Sequence, residues 1–205
     1  MRFLPTRFAD AWLIEPDLIA DQRGFFARTW CQREFTEFGL DSDLVQCSVS
    51  FNRNAGTLRG MHFQTAPHEE TKLVRCTRGS ILDVIVDLRK KSKTFGVHEC
   101  FELNAENHRS VYIPKGFAHG FQTLEPESEV FYQMAHYYHA ESAAGFHYKD
   151  LTIGIAWPIE ASCVSEKDER LPSFDEALGM NGCGNAVKNA AQHSPPGPVS
   201  GRDQA

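Results

Sequence analysis

Ile81-Leu82-Asp83-Val84-Ile85-Val86-Asp87-Leu88 decides the fold of this chain. Leu82, Val84, Val86 and Leu88 alternate with Ile81, Asp83, Ile85 and Asp87, a period of two that belongs to a strand. Similar short segments run outward from it in both directions. Upstream are Phe8–Glu15, Leu44–Phe51, Leu58–Gln64 and Lys72–Arg78; downstream are Val97–Leu103, Ser110–Ile113, His119–Leu124 and Val130–Tyr138. Turn chemistry separates them, at Asp21-Gln22-Arg23-Gly24, Asn52 to Gly56, Gly79-Ser80, Pro114-Lys115-Gly116 and Glu125-Pro126. Helix signals are few. Thr29 with Gln32 fits a capping box, Cys31, Phe35 and Phe38 follow at helical spacing, and Gly39 is placed to end the turn. Ser165 to Asp168 opens a second short helical segment. Many short strands with almost no helix predict an all-β sandwich or barrel such as a jelly roll, with a few short peripheral helices.

The 205 residues suffice for one domain with a full core, and 41% hydrophobic with 23% charged residues is ordinary for a globular protein. Composition changes near residue 180. The 181–205 segment has no aromatic residue and is rich in Gly, Pro, Asn, Ala and Ser, so the expectation is a 1–180 domain followed by a disordered tail. A net charge of −6 argues against a general nucleic-acid or membrane-surface partner. Six scattered cysteines without a CxxC pair predict reduced thiols, and no window has the apolar length of a signal peptide or membrane span. The expected location is the cytoplasm.

Chemistry concentrates in Leu58-Arg59-Gly60-Met61-His62-Phe63-Gln64 and in Lys72, which put cations inside strand-like runs where they seldom occur without a partner. Inverting a carbon next to a carbonyl needs a base, a cation or donor at the developing enolate oxygen, and an acid on the opposite face. His62, Lys72 and Tyr132 supply that set from three segments. Tyr132, His136 and Tyr138 share parity and are expected on one face; Arg59 and His62 have opposite parity, which a bulge at Gly60 would reconcile. Each residue also has a plainer reading. A strand histidine is more often structural, Lys72 suits a protected edge, Tyr132 sits in an aromatic run, and Asp168 suits a helix start.

Pro114-x-Gly116-x-x-His119 resembles the second motif of cupins, small jelly rolls that often hold a metal. Their usual first motif, His-x-His, is here His62-Phe63-Gln64, so two histidines with Glu69 or Glu70 supply such a site poorly. No metal is expected.

Gly56-Thr57-Leu58-Arg59-Gly60-Met61-His62-Phe63-Gln64, Lys72-Leu73-Val74-Arg75-Cys76, Asp83 to Arg89 and Ile113 to Phe121 resemble the dTDP-4-dehydrorhamnose 3,5-epimerase family, from about Phe8 to Leu178. The resemblance implies a double-stranded β-helix of the cupin type, usually a homodimer, working without cofactor on a nucleotide-diphospho-4-keto-6-deoxy sugar. It implies His62 as base paired with Asp168, and Tyr132 as proton donor. Lys72 and His119 would surround the sugar, Arg23, Arg59 and Lys167 would contact the nucleotide or diphosphate, and Tyr138 would stack on the base. Departures fall among the ligand contacts. Arg28 replaces a substrate-contacting glutamate, Gln46-Cys47-Ser48 replaces Gln-Asp-Asn, and Ala143 replaces a second glutamate. The reading is therefore an epimerase inverting C3, C5 or both. The alternatives are a 3-epimerase or related keto-sugar isomerase, a non-catalytic sugar-nucleotide-binding cupin, and a metal-dependent cupin oxygenase.

Overall fold

The computed structural model describes residues 1–180; the expected 181–205 tail lies outside the described residues. Thirteen strands and three short helices run in the order β1 (Arg2–Pro5), β2 (Trp12–Glu15), β3 (Leu18–Asp21), β4 (Gly24–Ala27), α1 (Gln32–Glu37), β5 (Gln46–Asn52), β6 (Leu58–Gln64), β7 (Lys72–Arg78), β8 (Ser80–Asp87), β9 (His98–Asn104), β10 (Ser110–Ile113), β11 (Phe117–Thr123), β12 (Ser128–Met134), β13 (Ala143–Gly145), α2 (Glu166–Glu169) and α3 (Phe174–Ala177). A six-stranded antiparallel sheet, β1-β2-β10-β7-β12-β5, faces a five-stranded one, β13-β6-β11-β8-β9, and together they form a cupin-type jelly roll.

β8 explains the arrangement. Its Ile81 and Ile85 meet Val74, Cys76, Phe101, Leu103, Val111, Phe121 and Val130 in the core between the sheets. Its other face is covered too: Val84 and Val86 pack with Met61, Phe63, Ala118, Phe146, Ile153 and Phe174 from the C-terminal segment. Burying each such side chain contributes about 1.5–3 kcal/mol relative to exposure. A strand covered on both faces explains why its two alternating sets are both apolar except for Asp83 and Asp87. A third cluster, Ile14, Phe35, Leu73 and Tyr112, seats α1 and the N-terminus on the outer face of the larger sheet.

Several elements differ from the sequence reading. The segment beginning at Phe8 becomes a strand only at Trp12, because Phe8 and Ala11 turn into the core as anchors. β1, the β3–β4 hairpin, β13 and α3 add to the expected set. The Thr29–Gln32 capping box does not form; α1 starts after Cys31, which makes no side-chain cap. Gly39, at φ +69°, does end the helix, and the Leu40 amide reaches back to the Phe35 carbonyl at 2.9 Å. β12 ends at Met134, so His136 and Tyr138 leave the strand and do not share the face of Tyr132.

Candidate active site

A cavity of about 370 Å³ opens between the sheets, lined by Ser50, Arg59, His62, Lys72, His119, Phe121, Tyr132, Ser165, Lys167 and Asp168. The smaller sheet supplies His62, Arg59 and His119; the larger sheet supplies Lys72, Tyr132 and Ser50. A side chamber of about 210 Å³ shares His62, Lys72 and Lys167 and adds Glu70, Tyr138 and Ala143.

A bulge turns both Arg59 and His62 into this space. His119 lies opposite His62 and Phe121 opposite Arg59, so three steps along β6 match two along β11. The extra residue reverses the parity that would otherwise have faced Arg59 and His62 apart. Gly60 carries φ +126°, and a Cβ there would stand 2.6 Å from the Gly120 Cα, so the close approach of β6 and β11 requires glycine.

His62 Nε2 lies 2.7 Å from Asp168 Oδ1, with the imidazole 41% exposed to the cavity and the carboxylate buried. Helix capping delivers that carboxylate. Ser165 caps α2 by accepting the Asp168 amide at 3.1 Å, and the Cys163 carbonyl takes the Leu58 amide at 2.9 Å, docking the segment beside β6. Burial alone would raise the Asp168 carboxyl, but bonds from His62, the Gly60 amide and the Ser165 hydroxyl outweigh it and hold it below the ordinary carboxylate value.

A second dyad was not foreseen. His119 Nε2 lies 2.7 Å from Asp83 Oδ2, both buried, with Asp83 Oδ1 unpartnered among the described residues. Tyr132 packs edge-on against His119 at a centroid distance of 6.0 Å. Burial, with the nearby Asp83 charge, pushes the Tyr132 phenol far above its ordinary value, so it stays protonated. Lys72 Nζ meets Glu70 at 2.9 Å, and Arg59 Nε donates to Asn52 at 2.8 Å. Asp83 was visible as a charge inside an apolar strand. The sequence reading gives Glu70 only as a metal ligand and Asn52 as a turn residue; residue type and spacing alone do not signal that they pair with Lys72 and Arg59. His62 and His119 are adjacent across the sheet, and each Nε2 is engaged by its own carboxylate, so the two histidines form paired dyads.

Residues 5–176 match the family model described as dTDP-4-dehydrorhamnose 3,5-epimerase. The chain belongs to the dTDP-4-dehydrorhamnose 3,5-epimerase family. The Methanothermobacter thermautotrophicus epimerase of that name is 44% identical over 170 residues, covering 82% of this chain and 91% of the relative. The Bacillus anthracis family member, crystallised with TDP and pyrophosphate, superposes at a TM-score of 0.82 with 43% identity, covering 84% of this chain and 99% of that one. A 3'-monoepimerase from Streptomyces bikiniensis, in complex with dTDP-quinovose, superposes at 0.79 with 32% identity, covering 86% and 90%. As a family member the chain is an isomerase, an epimerase of nucleotide-linked 4-keto-6-deoxy sugars.

Of the family positions anticipated from sequence, Arg59, His62, Lys72, His119, Tyr132, Lys167 and Asp168 converge on the main cavity, and Tyr138 on its side chamber. Gln46 and Ser48 share the inward parity of Ser50 on β5, with Ser48 directly opposite Tyr132. Arg23 and Arg28 do not reach this space. Arg23 pairs with Asp21 at the tip of the exposed β3–β4 hairpin. Arg28 bonds Glu34 at 3.2 Å beside a larger surface cleft of about 810 Å³, lined by α1 and its approach, that holds neither dyad.

Proposed function

We propose that His62 is the base of this epimerase, removing the proton on C5, C3 or both, next to the 4-keto group of a dTDP-linked 4-keto-6-deoxy sugar. The C–H electrons pass into the C–C bond, and the carbonyl oxygen becomes an enolate. Lys72, with His119 nearby, stabilises that oxygen. Tyr132 returns a proton from the other face, re-forming C–H and restoring the ketone. The observation that carries this reading is the 2.7 Å pairing of His62, on one sheet, with Asp168 of α2, with a buried, protonated tyrosine on the opposing sheet. Asp168 orients the imidazole and stabilises its cation once the proton is taken.

Arg59 and Lys167 supply positive charge for the diphosphate, and exposed Tyr138 offers a ring to the base. No cofactor takes part in this scheme. The chemistry balances with protons alone. Inversion at C3 only is the second reading, favoured by the shared fold of the 3'-monoepimerase and by Arg28, Ser48 and Ala143 standing where family contacts differ.

A homodimer is part of the proposal. Leu18, Ile19, Phe25 and Phe26 on the hairpin and Val49 and Phe51 on edge strand β5 are exposed apolar side chains that a second copy would cover. Among the described residues no helix is long and apolar enough to cross a membrane, and the five described cysteines are free, which suits a reducing cytoplasm.

Proton NMR of dTDP-4-keto-6-deoxyglucose in deuterated water tests the base. Wild type should exchange at C3, C5 or both, which also separates the two readings. His62→Ala should slow exchange by about 10²–10⁴-fold, the usual contribution of a general base. Exchange at the wild-type rate in that variant removes His62 from the role.

A further inference from the structure

Three histidines lie outside the catalytic cavity and take no part in the chemistry above. His68 follows β6 in the loop leading to β7, while His136 and His139 sit in the loop after β12. One ring nitrogen from each lies within 4.8 Å of those of the other two. The His68 and His139 rings stack at 3.6 Å, and His136 approaches them at 5.2 and 5.4 Å. Three imidazoles gathered this closely share no acceptor that would explain the grouping.

Their hydrogen bonds fix which nitrogens are free. His136 Nδ1 lies 3.1 Å from the Tyr137 carbonyl, which only accepts, so the proton is on Nδ1 and the Nε2 lone pair is open. His139 Nδ1 lies 3.1 Å from Glu141 Oε1, and the same reasoning leaves its Nε2 open. A carbonyl or carboxylate behind the far nitrogen is the arrangement that orients metal-binding histidines. His68 Nδ1 is buried with no partner among the described residues.

The scaffold is already joined by one buried side chain. Gln64, the last residue of β6, donates Nε2 to the His68 carbonyl at 3.0 Å and to the Tyr137 carbonyl at 3.2 Å, and its Oε1 accepts the His139 amide at 2.7 Å. All three histidine segments are therefore held relative to one strand end. In a tetrahedral site with Zn–N bonds of 2.0–2.1 Å, nitrogens stand about 3.3 Å apart. The present spread, within 4.8 Å, exceeds that spacing by up to about 1.5 Å, and because the His68 and His139 rings lie parallel, 6° apart, one of them must turn to another rotamer for both lone pairs to reach one ion.

We propose that His68, His136 and His139 form a binding site for a divalent transition-metal ion such as zinc, tying the 65–68 turn to the 136–139 loop. Three imidazole donors select Zn²⁺, Cu²⁺, Ni²⁺ or Co²⁺ over Mg²⁺ and Ca²⁺, which require oxygen. The fourth position is filled by water or by Glu141 turning from His139. Because Tyr138 lies between two ligands and lines the side chamber, the ion acts on the loop beside the sugar-nucleotide cavity and not on the reacting carbons.

The test is a titration of the metal-free full chain with Zn²⁺ against a chromophoric chelator, repeated with Co²⁺ to read the ligand type from its visible spectrum. Wild type should take up one equivalent at micromolar concentration with nitrogen and oxygen donors, and Mg²⁺ should not compete. The His136→Ala, His139→Ala double variant should bind that equivalent at least about 100-fold more weakly, with metal-free epimerase activity unchanged. His68→Gln, with its fold checked by circular dichroism, should weaken binding in the same direction. No uptake by wild type, a thiolate spectrum, or equal affinity in the double variant each overturns the proposal.

Discussion

At His62 the pairing decides which ring nitrogen would act as the proposed base. Asp168 is held ionised, and an ionised carboxylate only accepts, so Nε2 carries the proton and Nδ1 keeps its lone pair. The opposing residue follows the reverse logic. Burial keeps the Tyr132 hydroxyl protonated, which suits a donor and disqualifies it as a resting base. Tyr132→Phe should therefore leave solvent exchange at the first carbon within about tenfold of wild type while net inversion falls by about 10²–10³-fold. Deuterium wash-in and product formation, followed in one NMR time course, compare the two steps. Equal loss of both would mean that Tyr132 does not act alone on the far face.

At the scale of elements, β8 carries two buried aspartates with different tasks. Asp83 serves His119, whereas Asp87 closes the strand end. Asp87 accepts from Arg89 Nε at 2.8 Å, from the Arg89 amide at 3.0 Å and from the Thr94 hydroxyl at 2.7 Å. Burial pushes its carboxyl up, but these bonds prevail and bring it down from 3.8 to about 2. A group depressed in the folded state contributes stability that is present above its unfolded value and lost as pH falls through the folded one. Asp87 thus contributes about 2 kcal/mol at neutral pH, lost between pH 4 and pH 2. Asp87→Asn should lower the neutral Tm by about 4–8 °C and flatten the decline in Tm over that acid interval. Scanning calorimetry across pH checks it, and an unchanged acid profile would show that Asp87 contributes nothing to the pH dependence.

For the whole molecule, the prediction concerns the uncovered apolar side chains. Phe26 is 70% exposed and Val49 57% exposed, on different elements, and Arg75 on the same outer sheet face has an unpartnered buried Nε among the described residues. The proposed second copy, seated there, would cover them together. Phe26→Asp should shift sedimentation from dimer toward monomer; a wild-type chain that sediments as a monomer would overturn the dimer. Strand periodicity and turn residues sufficed for the all-β class and for most of the strands, because alternation reports pleat geometry locally. They do not give β1, the β3–β4 hairpin, β13 or α3, and the Thr29–Gln32 cap they suggest does not form, since short peripheral elements and caps depend on contacts made elsewhere. The long motif strings named the family and the residues converging on the cavity. What only the tertiary structure decided was their geometry: the bulge at Gly60, the 2.7 Å pairings of His62 with Asp168 and of His119 with Asp83, the retreat of Arg23 and Arg28, and the histidine trio held by Gln64. A linear sequence records which chemical groups are present. Which two of them meet at sequence separations of 106 or 36 is set by sheet pairing and packing.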